Sequence, residues 1–596
     1  MSIGCVQHTT QSASAVSGPF PPIDAVCVVF SSTVADNAMV GSLMDFLRNV
    51  RQEKLSYAAT TLNMQVGVTS LMEVAGAFLT DAYLGHYSMG GKGTNPNPNS
   101  LFDMKRLDSF LSPSLHIETK GKVIGVTLDG SPTSTFALTL WIHFQGLDLF
   151  TLAASRVPTK GAAESLVFYA ALILISMGQG GQNSSLKALG SNQIGPHDNK
   201  EEKVINARTK AWWYTSTFLG MGVGLFLAVL VQDEQNWVTA GLVSTAVMLA
   251  ALGVFVGGTP CYIIEKPGGS LLTRVVRVLV AAALKRDADF PVDGQLYEKS
   301  EPLDGEQLLQ RTDYLRALDK AAIKVSDEEE ENKWKLCTVT QVEETKLLLC
   351  MFPIWTTFLM YGLVGAMGST FFLEQAINMD RKVGHKITVP LTFLLAFAST
   401  SKLVVTQFCI PLIERSTKLE HRFPPMIKIG VGMFFSILCC SCASMVEIKR
   451  LDVIKQDPNK MVPMSVFWLL PQFFLLGAMD GLVSDGVKEF FYDHVPDSMK
   501  SFGPSFSQSV SGMGSLLSAL LIITSTRMSE WSGGPSWIAD TVDKGHLDYF
   551  YRTFSVLSYI NLCAYMYISS TYSIKKVEEE ESVEEELQII IIDNNV

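Results

Sequence analysis

Residues 237–258 read WVTAGLVSTAVMLAALGVFVGG and contain no charged side chain. An α-helix needs about 20 apolar residues to cross a hydrocarbon core of about 30 Å, so this stretch predicts a membrane-spanning helix. The whole chain agrees with that reading, because its mean hydropathy is positive at +0.23. Charged residues make up 18% of it, against about 25% in soluble domains. The sequence therefore indicates an integral membrane protein.

Similar apolar windows recur along the chain. We predict twelve spans, at residues 23–47, 58–83, 136–155, 164–189, 212–231, 237–258, 347–373, 387–413, 424–446, 466–485, 502–526 and 549–572. A long polar gap separates the first six from the last six. The predicted fold class is an all-α membrane protein of two six-helix halves. Such halves joined by a linker are typical of the major facilitator fold, in which solutes bind near the midplane between the halves.

Loop charges predict the orientation. Lys and Arg are frequent after the second and fourth spans, whereas residues 232–236 contain none. Because positive loops stay in the cytoplasm, both termini and the central gap are predicted to be cytoplasmic.

The predicted organisation has five parts. These are a disordered N-terminal tail (1–22), an N-terminal half (23–258), a cytoplasmic linker (259–346), a C-terminal half (347–573) and an acidic C-terminal tail (574–596). In the linker, Leu271–Leu284 is apolar with interspersed Arg residues, which predicts a helix on the inner membrane surface. We expect the rest of the linker, with its acidic run at 327–331, to be solvated.

Several function classes are excluded by what the sequence lacks. It has no basic nucleic-acid-binding face. The cluster Cys439, Cys440 and Cys442 has no neighbouring His to complete a metal site. No nucleophile, metal cluster or cofactor loop occurs at catalytic spacing. We therefore expect no enzyme activity and no cofactor, and the apolar spans make the lipid bilayer an expected partner.

One motif carries a family resemblance. Residues 76–87, GAFLTDAYLGHY, closely resemble the signature between the second and third helices of the proton-dependent oligopeptide transporter family. Its plant nitrate and peptide branch fits best, supported by EFFYDHVPDSMK at 489–500 and KGHLDYFY at 544–551. The resemblance implies transport of peptides, nitrate, hormones or specialised metabolites, often driven by protons. It also implies that Asp81 and Gly85 brace a cytoplasmic gate, and it favours the plasma membrane over the vacuolar membrane.

The chain departs from the family pattern at its charged positions. Ser32, Ala35 and Asp36 stand where the resemblance places Glu, Glu and Arg, and Asn183 stands where it places Lys. The acid of the tenth helix is kept as Asp480. We therefore expect Asp480 to lack a cation and to exchange a proton near neutral pH. The position of the nitrate-binding His is Gly365, which disfavours nitrate.

From these residues we predict a solute and proton pathway lined by Asp480, Asn183, Gln182 and Asp36. Asp36 could instead be exposed near a helix end. Gly178, Gly180 and Gly181 are read as helix-packing residues, and residues 212–214 as an interfacial aromatic belt with a ligand role as the alternative.

The segment 88–135 is rich in Gly, Pro, Asn and Ser and matches nothing in the family pattern. We read it as an atypical insertion, from an unspliced or mispredicted segment, that is dispensable or harmful. The main functional hypothesis is a secondary transporter of a small organic solute. The alternative is a transport-deficient member with a regulatory or assembly role.

Overall fold

The computed structural model describes most of the chain. The described residues are 23–87, 115–119, 122–126, 132–155, 161–192, 199–234, 237–258, 271–288, 290, 296–298, 309, 311–325, 334–383, 387–412, 424–456, 464–495, 503–532, 537–539, 543 and 545–593. The predicted tail 1–22 and the acidic run 327–331 lie outside them.

Long helices make up both halves. In the N-terminal half they are α1 (Ile23–Ala35), α2 (Leu43–Asp45), α3 (Leu55–Tyr87), α4 (Pro132–Ser155), α5 (Ala162–Asn192), α6 (Asn199–Glu234) and α7 (Trp237–Gly258). Two π-helical turns, Asp36–Val40 and Phe46–Val50, flank α2. Before α4, the strands β1 (Leu115–Thr119) and β2 (Lys122–Val126) form an antiparallel hairpin inside the segment 88–135.

The linker contributes α8 (Leu271–Leu284) and the short α9 (Arg316–Asp319), which a 3₁₀ turn, Lys320–Ala322, continues. The C-terminal half consists of α10 (Val339–Ser369), α11 (Phe371–Ile377), α12 (Leu391–Val404), α13 (Pro425–Gln456), α14 (Leu470–His494), α15 (Gly503–Ser532) and α16 (Leu547–Asp593). A two-residue hairpin of β3 (Lys382–Val383) and β4 (Ile387–Thr388) precedes α12. The π-helical turn Val405–Cys409 extends α12, and the 3₁₀ turn Val466–Leu469 leads into α14.

Every predicted span falls within or largely within these helical segments. Within the described residues, nine helical segments are long and apolar enough to cross a membrane. The predicted spans 58–83, 212–231 and 549–572 lie in α3, α6 and α16, which are not among those nine. Helix α16 also runs on through most of the predicted acidic tail.

Glycine positions bring the helices together. A Cβ on Gly178 would collide with the backbone of His143 in α4, and one on Gly180 would collide with the backbone oxygen of Thr69 in α3. Gly181 has Thr139 equally close. The packing interpretation of this glycine group is therefore confirmed, since only a missing side chain allows α3, α4 and α5 to approach this closely.

Several helix pairs bring the two halves together, among them α3 with α15, α6 with α12 and α2 with α11. At the first contact Gly67 faces Leu516 and Gly512 faces Ser70, so small residues on both helices permit the approach. Any solute that passes between the halves must pass beside these pairs.

The linker is docked rather than solvated over residues 311–325. Lys346 at the start of α10 has no exposed side-chain surface, and its ammonium contacts Asp319 Oδ1 at 2.6 Å and Glu343 Oε1 at 2.8 Å. The backbone oxygen of Thr312 accepts a third hydrogen bond at 2.9 Å. A buried ammonium needs such partners, so these contacts fix the linker to α10. The expectation of a solvated linker is wrong for this segment.

An apolar cluster completes the docked linker. It joins one face of α8 to the turn after α9 and to the start of α10, through Val278, Ala281, Ala321, Ala322, Cys337 and Val342. Burial raises the pKa of the Cys337 thiol to about 11, although Arg277 and Lys285 nearby favour the thiolate. The thiol is therefore protonated at neutral pH while the linker is docked. The opposite face of α8 is exposed at Val276, Leu279 and Leu284.

Candidate functional site

Two neighbouring cavities lie beside the interface between the halves. The first, here called the central cavity, has a volume of about 220 Å³ and is lined by α10, α12, α14 and α15, with Val66 of α3 from the other half. The second, the inner cavity, has a volume of about 320 Å³ and is lined by Trp213 and Tyr214 of α6 and by residues of α12 and α14. In the orientation predicted from the loop charges, the inner cavity lies toward the cytoplasmic end.

An ion pair stands between the two cavities. Lys402 Nζ of α12 lies 2.9 Å from Asp480 Oδ2 of α14. The Tyr361 hydroxyl of α10 donates a hydrogen bond to Asp480 Oδ1 at 2.5 Å. Asp480 lines the central cavity and Lys402 lines the inner one. Each of the two side chains keeps 36% of its surface accessible, so a solute in either cavity can reach the pair.

The expectation that Asp480 has no cation is therefore wrong. On the same helix Lys488 is two turns further along, too far for a direct pair, and Asn183 replaces the Lys of the family pattern. The cation comes instead from α12. Gly477 and Gly481 of α14 sit against the α12 backbone at Ala398 and Lys402, which brings the two helices into close contact. A usable signal existed: Lys402 is the only Lys or Arg in the predicted span 387–413, and an intramembrane cation is expected to pair with an acid.

A polar cluster occupies the interior of the N-terminal half. Gln182 is buried, and its Oε1 accepts a hydrogen bond from the Ser32 hydroxyl at 2.8 Å and lies 3.3 Å from His143 Nδ1. Since Oε1 can only accept, the contact assigns the proton of His143 to Nδ1. His143 Nε2 is buried and has no partner among the described residues. The neighbouring Asn183 amide donates to Glu73 Oε2 at 3.4 Å.

Asp36 belongs to the same cluster. It lies on the π-helical turn within the first span, beside Gln179 of α5, which is one turn before Gln182 and Asn183. Its Oδ1 is inaccessible to solvent and has no partner among the described residues. The alternative of an exposed residue at a helix end is therefore wrong. The structure thus brings Asp36, Gln182 and Asn183 together on α1 and α5, while Asp480 lies in the other half.

A second ion pair joins the halves at the end predicted to be extracellular. Arg48, on the π-helical turn after α2, donates from Nε and Nη2 to the Glu374 carboxylate of α11 at 2.8–3.0 Å. The Glu374 side chain is 1% exposed and that of Arg48 16%. The sequence analysis missed this pair, because nothing in the spacing of residues 326 positions apart indicates contact.

A network of buried polar groups holds α11, the helix that carries Glu374, in place. The neighbouring Gln375 donates to Glu447 at 2.7 Å, and Arg450 binds the same carboxylate from Nε and Nη2 at 2.9 and 2.8 Å. Arg450 also reaches Asp543 at 2.6 Å. This satisfied network fixes α11 against α13, so Glu374 is held in place to meet Arg48.

The remaining predicted residues have simpler outcomes. Gly365 lines the central cavity, and a Cβ there would meet nothing within 4 Å. Trp213 and Tyr214 line the inner cavity, so the alternative to a purely interfacial role has structural support. Asp81 and Gly85 lie on α3, but their side-chain surroundings are outside the described residues, and their predicted gate role stays a prediction.

Helices from two halves that enclose polar cavities and are joined at one end by an ion pair define a transporter of the major facilitator type. The sequence model described as POT family matches residues 133–538. The chain belongs to the POT family, which is a family of transporters and not of enzymes. The match begins at residue 133, near the end of the segment 88–135, and the predicted origin of that segment stays a prediction.

Relatives in Arabidopsis thaliana are similar along most of this chain. The protein NRT1/PTR family 5.6 is 32% identical over 564 residues, covering 93% of this chain and 91% of its own length. The protein NRT1/PTR family 8.3 is 34% identical over 471 residues, covering 74% of this chain and 80% of its own. These similarities confirm the family resemblance derived from residues 76–87.

Solved structures show the fold. The in meso crystal structure of the POT family transporter PepTSo has a TM-score of 0.58 at 14% identity, covering 93% of this chain and 99% of that one. A POT family transporter in complex with 5-aminolevulinic acid also has a TM-score of 0.58, at 10% identity, covering 92% of this chain and 96% of that one. The predicted all-α fold class is confirmed.

Proposed function

We propose that the protein is a secondary transporter that carries a small organic solute between its two halves by alternating access. One combined observation supports this proposal. Residues of both halves line the cavities, and the Arg48–Glu374 ion pair joins the two halves at one end. Arg48 and Glu374 hold the predicted extracellular ends together, while the inner cavity lies toward the cytoplasm. This is the arrangement expected of a carrier closed to the outside.

The relative motion of the halves follows from the same contacts. Opening the outer end requires breaking the Arg48–Glu374 pair, and opening the inner end requires separating α6 from α12. Among the described residues, Gln407 there donates an exposed neutral hydrogen bond to the Tyr214 hydroxyl at 3.2 Å. Exposed neutral contacts of this kind contribute about 1 kcal/mol or less, which is less than a charge-assisted pair such as Arg48–Glu374 contributes.

Tracer counterflow in proteoliposomes tests the proposal. Vesicles containing the purified protein and loaded with a mixture of unlabelled candidate metabolites should accumulate a labelled member of the mixture, and empty vesicles should not. Mass spectrometry of the vesicle contents identifies the solute. Flat counterflow across a broad panel at both acidic and neutral pH would favour the transport-deficient alternative.

We further propose that transport is coupled to protons through carboxylates in the two halves. Loading a proton on Asp36 would neutralise a carboxylate whose Oδ1 is buried and has no hydrogen-bond partner among the described residues. Loading one on Asp480 would release Lys402. Asp36→Asn and Asp480→Asn are each expected to remove acceleration of uptake by an inward proton gradient while leaving counterflow measurable. Wild-type pH dependence in both variants would exclude both carboxylates from coupling.

The membrane is proposed to be the plasma membrane, with the vacuolar membrane as the alternative. The support is family membership together with the apolar helices, which require a bilayer of some kind. A fluorescent fusion in plant cells, scored against markers of the two membranes, decides between them.

A further inference from the structure

The ion pair presents a different member to each cavity, because Asp480 lines the central cavity and Lys402 lines the inner one. An ammonium has three N–H donors. Asp480 is engaged at Oδ1 by Tyr361 and at Oδ2 by Lys402. Within the described residues, Lys402 Nζ has Asp480 as its one ion-pair partner. Two donors of Lys402 therefore remain for a ligand that brings an acceptor.

The inner cavity reinforces this preference. Lys402 and Lys488 both line it, and the single carboxylate of its lining, Asp485, lies 3.4 Å from Lys428 of α13. Thr406 and Ser484 add hydroxyl groups that can donate. Two ammonium groups and one carboxylate thus line this cavity, and Lys428 beside that carboxylate also contacts Glu489, at 2.7 Å. A negatively charged group gains charge-assisted hydrogen bonds here, which are stronger than neutral ones.

The opposite wall is aromatic. Trp213 and Tyr214 of α6 face the same cavity, with Leu403 beside Lys402. Aromatic side chains offer a large apolar surface for packing against a planar body. The volume of about 320 Å³ is at the lower end of the range of roughly 300–1,000 Å³ for ligand pockets. The occupant is therefore small.

We propose that the inner cavity binds a small organic carboxylate, with Lys402 recognising its anionic group and Trp213 and Tyr214 packing against its planar body. The proposal rests on the proposed transport function, which it narrows to one class of solute. In this proposal Asp480 has a separate role, because it holds Lys402 in position and competes with the ligand for the Lys402 ammonium.

Three probes with nearly the same body separate the possibilities: phenylacetate, phenylacetamide and phenethylamine. Binding to the purified full-length protein in nanodiscs is measured by calorimetry. Phenylacetate should bind at least tenfold more tightly than the amide or the amine. Equal binding of acid and amide, or tighter binding of the amine through Asp485, would overturn the proposal.

Two single variants test the role of Lys402. Lys402→Gln should weaken phenylacetate binding about tenfold or more, the usual effect of losing one charge-assisted hydrogen bond. Asp480→Asn should leave the affinity equal or tighter, because the competing carboxylate charge is removed. Equal weakening in both variants would show that the pair acts only structurally and would refute the assignment.

Controls separate a binding effect from misfolding. Lys449→Gln removes a lysine that lies 3.5 Å over the Trp468 ring, outside the residues lining either cavity, and should bind as wild type. If Lys402→Gln does not fold, the neutral double variant Lys402→Gln/Asp480→Asn should fold and still fail to bind phenylacetate. Tight binding by that double variant would overturn the proposal. Because no gradient is used, failure of binding and failure of transport are distinguished.

Discussion

Neutralising Glu374 is expected to open the extracellular end of the protein. Glu374→Gln keeps the side-chain volume but removes the charge that Arg48 binds. The wild-type carboxylate is 1% exposed and receives hydrogen bonds from Arg48 at 2.8–3.0 Å. Charge-assisted hydrogen bonds contribute about 1.5–3 kcal/mol, and the partial exposure of Arg48 favours the lower value.

That energy converts directly into a population. About 1.5 kcal/mol corresponds to roughly a tenfold change in an equilibrium constant. If the outward-open state is populated at about 1%, which is within the usual range for minor states, the variant raises it to about 10%. Wild type and variant should therefore differ in the fraction of molecules whose outer ends are separated, and not in the shape of either state.

Distances between two spin labels, measured by double electron–electron resonance, report this fraction. Labels at Tyr57 of α3 and Phe467 before α14 report on the two halves, because both side chains are exposed near the predicted outer end. Glu374→Gln should add a longer-distance population. Glu53→Gln is the matched control, since its carboxylate contacts Arg51 within the same half at 3.4 Å. An unchanged distance distribution in Glu374→Gln, with wild-type thermal stability, would refute the gate assignment.

Three further outcomes are expected. Lys346→Met removes the ammonium from the buried Glu343 carboxylate, while Asp319 keeps Arg311 at 3.0 Å. Breaking a buried ion pair typically costs about 3–5 kcal/mol. In a variant whose only cysteine is Cys337, maleimide labelling at neutral pH should become faster, and unchanged labelling would mean that the linker stays docked without this pair. Gly178→Ala should lower the melting temperature, because the added Cβ meets the α4 backbone. Gly253→Ala is the control: its Cβ would meet nothing within 4 Å, so it should be neutral or stabilising by about 1 kcal/mol. Equal melting temperatures of the two variants would contradict the packing argument. A tag near Glu330 should be digested by protease added to the cytosolic face of sealed vesicles, and protection would overturn the predicted orientation.

The sequence by itself determined where the helices are. A spanning helix must satisfy its backbone internally and present an apolar surface, so its signature is local and long. Trp237–Gly258 has the predicted bounds, whereas helices such as α6, α10 and α13 extend eight or more residues beyond their windows. The glycines of α5 were also read correctly, since small residues inside a span have few uses other than close packing. Motif spacing at 76–87 gave the family.

Only the tertiary structure decided which polar groups meet. Lys402 reaches Asp480 because Gly477 and Gly481 let two helices approach, and Arg48 reaches Glu374 across 326 positions. Such pairs depend on the rotation and depth of each helix relative to its neighbours, which packing sets and hydropathy does not encode. The docked linker also depends on the tertiary structure. In the sequence Lys346 is an ordinary charged residue before a span, and only the structure shows that Asp319 contacts it. The site is therefore a property of the assembled bundle, while the bundle's parts are properties of the sequence.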